Sequence, residues 1–512
     1  MPSPEIPSAP TRVDSTTRPD YRSARARIHL ALLIVVTGLL AVGTTVVFAP
    51  GGMNPDTRWQ LHQVLGNEPL SDWHPAIMTI TWMWLAELTG HASAVLYVQV
   101  LLMFVTGFGF ALYLFDVTRS RAWSWVGLLF LLTPHLFTYI GVLWKDTQMA
   151  EMFFAAVVCA LLAQRFKRLR WVLLIIGLIA LTYGTAVRKN AFFAVLPLIY
   201  LLSFSVFAIR SARPRTSWRK RLLSPAFAAT TAAVLVLVLG SGAILNAIYQ
   251  PLKTHQVSQV MLDDVVFTVP GSELRTTDMD PQLRENLLAA QKVCREKDAY
   301  EDSYWRCYGR GADGIYTAIE HVDELQDLWV RTVLTRPDRY LLYRTQTFSH
   351  LLFDNYTDWD GATVENDLGW ETKYKQANDA AETYVEKFGA RDLSWLFTGW
   401  FWLLCAVLGL VCVRHVRRLE ASSGLAHLMT TVTTLSLSAL IYIVGYFPIV
   451  PANHFRYIYW PALAMSMAAI MLAAAGSLAW KARRRPAPDD PGAPADPGAG
   501  ADPGAGAASP GD

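Results

Sequence analysis

The chain has 512 residues, of which 53% are hydrophobic and only 17% are Asp, Glu, Lys or Arg. Soluble domains usually carry about 25% charged residues, so this composition favours a protein embedded in a membrane. The 45 basic and 42 acidic residues nearly cancel to a net charge of +3, which gives no indication of nucleic-acid binding. Several stretches exceed the roughly 18 uncharged residues that signal a membrane-spanning helix.

The two ends of the chain are polar. Residues 1–27 are rich in Pro, Ser and Arg, and we expect a disordered tail there. The apolar stretch that follows ends at Phe48-Ala49-Pro50, which is not a small-residue cleavage site, so we expect a retained helix. Residues 481–512 contain repeats of Ala-Asp-Pro-Gly-Ala-Gly and are expected to form a second disordered tail.

Ten apolar stretches are predicted to cross the membrane. They are residues 28–48, 94–115, 122–143, 147–163, 171–187, 191–209, 225–247, 395–413, 426–447 and 457–479. The first seven make up a membrane module at 28–248, and the last three lie within 395–480. We therefore expect an all-α polytopic membrane protein with about ten transmembrane helices.

The distribution of Lys and Arg predicts the orientation. Basic clusters occur in the N-terminal tail, at 119–121, 165–170, 210–221, 414–418 and 481–485. All six lie on one side if the ten spans alternate. Because basic residues concentrate in cytoplasmic loops, we expect both termini in the cytoplasm and the protein in the cytoplasmic (inner) cell membrane.

Two segments are predicted to lie on the outer side. The first outer loop, 49–93, contains the apolar stretch 76–88, which is too short to cross a bilayer of about 30 Å and is expected to be an interfacial helix. The segment 249–394 holds 26 of the 42 acidic residues and 16 Lys or Arg, and helical periodicity over 322–352 predicts a small, mainly helical extracytoplasmic domain. Its Cys294 and Cys307 are expected to form a disulfide, because the outer compartment is oxidising.

Positive charges occur on the outer side, where the orientation predicts few. Lys145, Arg188 and Lys189 lie in the two tightest outer connections, and His454 and Arg456 lie in the short loop between the last two spans. Charges held at a membrane are candidates for function, and several cations together suit a phosphate or pyrophosphate headgroup. The alternative is that they reach lipid phosphates or pair with nearby acids such as Asp146 and Glu151.

The first outer loop supplies a carboxylate and a histidine. Asn54 is predicted to cap a short helix with Pro55 at its first position, which places Asp56 in the first turn. Asp56 then either points into a site or complements the helix dipole. His74 precedes Pro75 and either belongs to the site or caps the interfacial helix.

Four short motifs occur in a suggestive order: Asp72-Trp73-His74-Pro75, Trp144-Lys145-Asp146, Arg188-Lys189-Asn190 and Phe455-Arg456-Tyr457 with Pro461. This order and sidedness resembles the GT-C superfamily of membrane glycosyltransferases, which includes protein O-mannosyltransferases and the aminoarabinose transferases of lipid A. An uncharacterised bacterial branch of GT-C-like proteins is more similar still. The resemblance covers residues 28 to about 248 well and the last three spans loosely.

The resemblance implies roles for individual residues. Asp56 matches the family's catalytic acid, and we expect Asp146 and His74 to be the other catalytic residues. Asp146 matches a second acid that helps some members to bind a divalent metal, so Asp56 and Asp146 become tentative ligands for Mg²⁺ or Mn²⁺. The family's acidic doublet is absent, because Thr57 follows Asp56. The residues implied to contact the donor phosphate are Lys145, Arg188, Lys189, His454 and Arg456.

The function implied is transfer of a sugar from a polyprenyl-phosphate-linked donor to an acceptor on the outer face. The partners implied are that donor, membrane lipids and a glycan, lipid or protein acceptor, with no nucleic acid. Three other functions remain open. They are a transporter or flippase of lipid-linked sugars, an O-antigen-type polymerase or ligase, and a non-catalytic binder of the same lipids.

Overall fold

The computed structural model describes residues 21–207, 222–300, 302–309, 322–354, 359–363, 366, 368–419 and 423–483. All regular secondary structure in these residues is helical. Most of both expected tails and the whole basic cluster at 210–221 lie outside the described residues.

The described residues of the first half of the chain form ten α-helices. These are α1 (Ala24–Phe48), α2 (Pro55–Val64), α3 (Ala76–Thr89), α4 (Ala94–Thr118), α5 (Arg121–Leu129), α6 (Pro134–Phe137), α7 (Lys145–Arg165), α8 (Arg170–Ala186), α9 (Phe192–Phe207) and α10 (Pro225–Tyr249).

The described residues of the second half form nine more α-helices. These are α11 (Val257–Thr268), α12 (Gly271–Thr276), α13 (Pro281–Glu296), α14 (Val322–Thr332), α15 (Pro337–Phe353), α16 (Lys375–Thr383), α17 (Gly399–Leu419), α18 (Ser423–Gly445) and α19 (Tyr459–Arg483). A 3-10 turn, Phe455–Ile458, directly precedes α19.

Eight helices within the described residues are long and apolar enough to cross a membrane, so the chain is an all-α, multi-pass membrane protein. Their apolar parts are Ala24–Phe48, Ala94–Thr118, Lys145–Arg165, Lys189–Val206, Pro225–Tyr249, Gly399–Val416, His427–Gly445 and Phe455–Trp480. Two shorter apolar helices, Arg121–Leu132 and Arg170–Ala186, correspond to two further predicted spans.

The expectation of one continuous helix over 122–143 is wrong. Helix α5 passes into a 3-10 turn, Phe130–Leu132, and the chain becomes extended at Thr133 before the short helix α6. Pro134 explains the break, since proline has no N–H to donate and disfavours helical backbone at the preceding residue. The segment before Lys145 is therefore irregular, and its free carbonyl groups are available to other loops.

Helix α7 lies at the centre of the bundle, where it packs against α4, α8, α9 and α19 and buries most of its side chains. Helices α1 and α10 are peripheral and expose apolar side chains such as Leu39 and Val236. A wide exposed apolar surface of this kind on a helical bundle suits contact with lipid.

The helices of the bundle end at two opposite faces. We call the face at Phe48, Lys145, Gly445 and Phe455 the loop end, because the segment 49–93 and the described residues of 249–394 lie there. We call the other face, with Asp116 and Arg165, the opposite end. Helices α2 and α3 both lie at the loop end, and α3 has only 14 residues.

Residues 249–394, the inserted domain, contain a hydrophobic core of their own. It is formed by α11 to α14 with the turn Tyr304–Tyr308 and includes Leu262, Leu287 and Leu328, all fully buried. A disulfide joins Cys294 to Cys307, the expected pair, with the two Cα atoms 5.1 Å apart. The disulfide fastens the turn to the end of α13.

Candidate functional site

Asp56 is held at the loop end by a helix cap. The Asn54 side chain accepts a hydrogen bond from the Thr57 N–H at 3.0 Å, and Pro55 occupies the first position of α2. The Thr57 hydroxyl also donates to the Leu143 carbonyl at 3.2 Å. These contacts fix the first turn of α2, and with it Asp56, against the segment that precedes α7.

The backbone brings the same two segments together. The Gly52 N–H donates to the Gly141 carbonyl at 2.9 Å, and the Leu143 N–H donates to the Gly52 carbonyl at 3.2 Å. A side chain at Gly141 would collide with Phe48, and one at Gly52 would collide with the Asp360 carbonyl. Only glycine allows so close an approach at both positions.

Lys145, the first residue of α7, lies beside this pairing. Its Nζ is 3.0 Å from Nδ1 of His74, whose ring is almost fully buried. A lysine ammonium can only donate, so Nδ1 accepts and the remaining proton of a neutral imidazole is on Nε2. His74 thus contacts the cluster directly instead of serving only as a cap for α3.

Arg456 reaches Asp56 from a part of the chain 400 residues away, with Nη1 at 3.0 Å from Oδ2. Its guanidinium lies over the rings of Trp144, at 4.6 Å from the centroid, and Tyr457, at 5.0 Å. Its Nη2 donates to the Tyr457 hydroxyl at 3.2 Å. Two aromatic faces and one carboxylate hold this arginine in a single orientation.

Arg188 forms a second pair with Asp146, and both side chains are buried. Its Nη1 is 2.5 Å from Oδ2 of Asp146, Nε donates to Asn190 at 2.8 Å, and Nη2 donates to the Tyr446 hydroxyl at 2.7 Å. The guanidinium also lies 5.2 Å from the Tyr457 ring. All three of its nitrogens are therefore engaged, in contrast to those of Arg456.

The charges of this cluster do not balance. Three cations, Lys145, Arg188 and Arg456, face two carboxylates, Asp56 and Asp146, even when His74 is neutral. Burial alone raises the pKa of Asp56, but the surrounding positive charge, that of Arg456 above all, outweighs it and lowers that pKa well below its usual value. The cluster therefore carries an excess positive charge that one anionic group would neutralise.

Several buried hydrogen-bonding atoms of the cluster have no partner among the described residues. They include three donors, Nε of Arg456, Nε1 of Trp144 and Nδ2 of Asn54. Buried donors are rarely left unpaired in native proteins, because each costs roughly 1–3 kcal/mol. A ligand rich in acceptor oxygens would satisfy them.

Two of the residues expected at the site lie at its edge. His454 lies with Nε2 at 3.6 Å from Asp302 of the inserted domain, and its ring packs edge-on against Tyr457, with the centroids 6.2 Å apart. Lys189 is exposed, and its charged neighbours are Asp72 and Lys253. The described geometry therefore brings together Asp56, His74, Lys145, Asp146, Arg188 and Arg456.

The carboxylates do not fit the expected divalent metal. Among the described residues, no group of three or more His, Cys, Asp and Glu side chains is arranged to hold one. Asp56 and Asp146 each lie against an arginine, whose positive charge opposes a cation at the same oxygens.

The structure adds three aromatic residues that sequence reasoning did not select for a role. Trp144 and Tyr457 lie against Arg456, and Tyr446 accepts from Arg188. Trp144 directly precedes Lys145, and Tyr457 directly follows Arg456. This adjacency to candidate residues was the signal in the sequence that could have identified both. Tyr446 could only be found through the fold, because 258 positions separate it from Arg188.

The site is thus a buried, positively charged cluster with an ionised carboxylate, built from four connections at one end of a membrane bundle. No family model matches the chain, and neither a curated protein nor a solved structure matches it.

Proposed function

We propose that the protein is a membrane glycosyltransferase that moves a sugar from a polyprenyl-phosphate-linked donor to an acceptor on the outer face of the cytoplasmic membrane. The observation that carries the proposal is the joining of Asp56 to Arg456 beside Lys145 and His74. A transferase with a lipid phosphate as leaving group needs a carboxylate next to cations, and it needs both at the membrane surface.

The charge excess favours a donor with a single negative charge. A sugar joined to a lipid through one phosphate carries one negative charge, because a phosphodiester is ionised throughout the physiological pH range. Arg456 retains an unpaired Nε and Lys145 retains donors beyond the one facing His74, so these two residues are the principal phosphate contacts in the proposal. Arg188 and Asp146 instead orient Tyr446 and Tyr457 around them.

The reaction we infer is a displacement at the anomeric carbon of the sugar. The acceptor oxygen forms a bond to that carbon while the bond to the phosphate oxygen breaks, and the acceptor proton passes to Asp56. The leaving phosphate stays with Arg456 and Lys145, which stabilise its charge. No nucleotide is required, because the lipid-linked bond supplies the energy.

The low pKa of Asp56 bears on this role. A carboxylate paired with Arg456 is a weak base, so it would accept a proton poorly without substrate. A phosphate bound to Arg456 and Lys145 would offset the same cations and raise the pKa of Asp56. Donor binding would then both deliver the sugar and increase the basicity of the carboxylate.

The test is to reconstitute the protein in lipid, supply a panel of polyprenyl-phosphate sugars with an envelope extract as acceptor, and measure released polyprenyl phosphate. Asp56→Asn should lower release by roughly 10²–10⁴-fold. The same variant should bind undecaprenyl phosphate at least as well as wild type, because one negative charge has been removed from the cluster.

The matched control is Asp116→Asn, which makes the same change in a buried carboxylate at the opposite end. It should leave transfer per folded protein unchanged. Full transfer by Asp56→Asn would contradict the assignment. A wild type that binds undecaprenyl phosphate but releases none from any donor would favour the non-catalytic binder instead.

A further inference from the structure

The loop that carries Arg456 has little structure of its own. Residues 446–458, the Arg456 loop, connect α18 to α19, and the stretch from 450 to 453 has no regular hydrogen bonding. At the site, the loop is fixed through Tyr446, which accepts from Arg188, and through Arg456, which pairs with Asp56. Phe455 also packs against Tyr139 and Phe397 of the bundle. The stretch before it, 450–454, is held by polar contacts with the inserted domain.

The strongest of these contacts comes from Arg344 on α15. Its side chain is fully buried, and Nη1 donates to the Val450 carbonyl at 3.1 Å. Its Nη2 donates to the Val260 carbonyl at 3.2 Å and lies 2.8 Å from Oδ1 of Asp264. One guanidinium therefore joins two helices of the inserted domain to the Arg456 loop.

A second contact comes from Asp302. Its backbone N–H donates to the Pro451 carbonyl at 2.8 Å, and its carboxylate lies 3.6 Å from Nε2 of His454. On the same side, the Asn453 side chain donates to Asp354 at 3.1 Å. Positions 450, 451, 453 and 454 are thus all bound by residues of the inserted domain.

The residues that make these contacts are connected to one another inside the inserted domain. Asp302 lies two residues before the turn Tyr304–Tyr308, which the disulfide at Cys307 holds to α13. Ser303 and Tyr308 both donate hydrogen bonds to the buried Asp263, which is adjacent in sequence to the Asp264 that pairs with Arg344. The two contacts therefore belong to one connected network.

The geometry points to Arg344 and Asp302 as positioning residues that act through Arg456: the inserted domain holds the Arg456 loop so that the guanidinium meets the bound phosphate. The identity of the ligand in this inference rests on the proposed function. The link between the inserted domain and the Arg456 loop rests only on the contacts of Arg344 and Asp302 with that loop. The inserted domain is then part of the phosphate site. Loss of Arg344 should release the loop and lower phosphate affinity without touching the ligand.

The experiment uses the full-length protein in nanodiscs and compares wild type with Arg344→Gln and Asp302→Asn. Asp302 has a left-handed backbone, which Asn tolerates, so the second variant should fold even if loss of the buried arginine impairs the first. The control is Arg339→Gln, which makes the same change on the same helix in a residue whose partner is Glu273. Hydrogen exchange of peptides covering 446–458 reports on the loop.

Exchange across 446–458 should rise in Arg344→Gln, rise less in Asp302→Asn and stay at the wild-type level in Arg339→Gln. Undecaprenyl phosphate affinity should fall about tenfold in Arg344→Gln, in line with the loss of one charge-assisted hydrogen bond at the site. That fall should vanish when Arg456→Ala is already present, because the effect acts through Arg456. An equal fall in both backgrounds would indicate general destabilisation and overturn the inference.

The two proposals fail separately. Unchanged exchange at 446–458 in both variants would overturn the positioning role, whatever the lipid does. Suppose instead that hydrogen exchange at 446–458 rises in the variants but the wild-type protein binds no undecaprenyl phosphate. That result would support the positioning of the loop by the inserted domain and contradict the proposed function.

Discussion

Partly buried Asp–Arg pairs occur at both ends of the bundle, and they differ in their surroundings. At the opposite end, Asp116 accepts from Arg165 and from the Tyr21 hydroxyl, so the ends of α4 and α7 are joined. At the loop end, Asp56 and Arg456 lie among further buried polar groups, with Lys145 and His74 beside them. The first arrangement fastens two helices, whereas the second has more positive charge than its own carboxylates neutralise.

A structural ion pair and a ligand-binding site can be distinguished by the groups that surround them. Neither pair is informative by itself, because the cost of removing two charges from water offsets most of the stability that a buried pair contributes. The loop end differs in its excess cations, in the unpaired donors of Arg456, Trp144 and Asn54, and in its assembly from distant parts of the chain. Those features indicate a ligand.

The largest expected difference between the two ends is in accessibility across the membrane. In a variant with Cys159, Cys405 and Cys412 replaced by Ala, Lys292→Cys in the inserted domain should react with an impermeant maleimide in intact cells. Arg168→Cys, which is also exposed but lies between α7 and α8, should react only after permeabilisation. Labelling of Arg168→Cys in intact cells would invert the proposed orientation.

The next expected effect is on phosphate binding. Arg456→Ala should weaken undecaprenyl phosphate binding by roughly 10–100-fold, the range for losing a charge-assisted contact of about 1.5–3 kcal/mol. Arg165→Ala makes the same change in the pair at the opposite end and should leave binding unchanged, although it should lower thermal stability. Equal losses of affinity in the two variants would remove the distinction between the ends.

The smallest expected effect concerns two buried carboxylates of the loop end outside the spans. Cations lower the pKa of Asp56, whereas burial raises the pKa of Asp263 to about 6, with Ser303, Tyr308 and Arg344 opposing the rise. A raised pKa in the folded state means that the native form binds the proton more tightly. Acidification through pH 6 should therefore stabilise the inserted domain, by about 1 kcal/mol between pH 7.5 and 5.5.

Hydrogen exchange of α11, corrected for the intrinsic effect of pH, measures this difference. Protection should increase at pH 5.5 in wild type and should be nearly independent of pH in Asp263→Asn. Asp56 has the opposite pH dependence. Because cations lower its pKa in the folded state, its charge stabilises the fold above its ordinary pKa, and acidification below that pKa removes the stabilisation. Equal pH dependence in wild type and Asp263→Asn would show that Asp263 does not titrate in this window.

The sequence was most informative where the determinants are local. Asn54 and Pro55 specify the first turn of α2, so the placement of Asp56 could be predicted from adjacent residues. Apolar length likewise identified the long helices. The break at Pro134 was missed because the apolar run continues through it, although proline carried the signal.

The rest depended on tertiary contacts. His454 and Arg456 are two positions apart, yet extended backbone at His454 and a 3-10 turn at Arg456 send them to different partners. Arg344 lies on the buried face of α15, together with Tyr343, Thr347 and Leu351. A lone arginine on an otherwise uncharged buried face was a usable signal, but its target, the Val450 carbonyl, could not be read from sequence.

The most direct test of the central claim, that the loop end binds a lipid phosphate, is a cryo-EM structure of the wild-type protein with undecaprenyl phosphate. The phosphate is expected between Arg456 and Lys145, with oxygens about 3 Å from their nitrogens and with Asp56 beside it. A phosphate bound at the opposite end near Arg165, with Arg456 still contacting only Asp56 and Tyr457, would contradict the account.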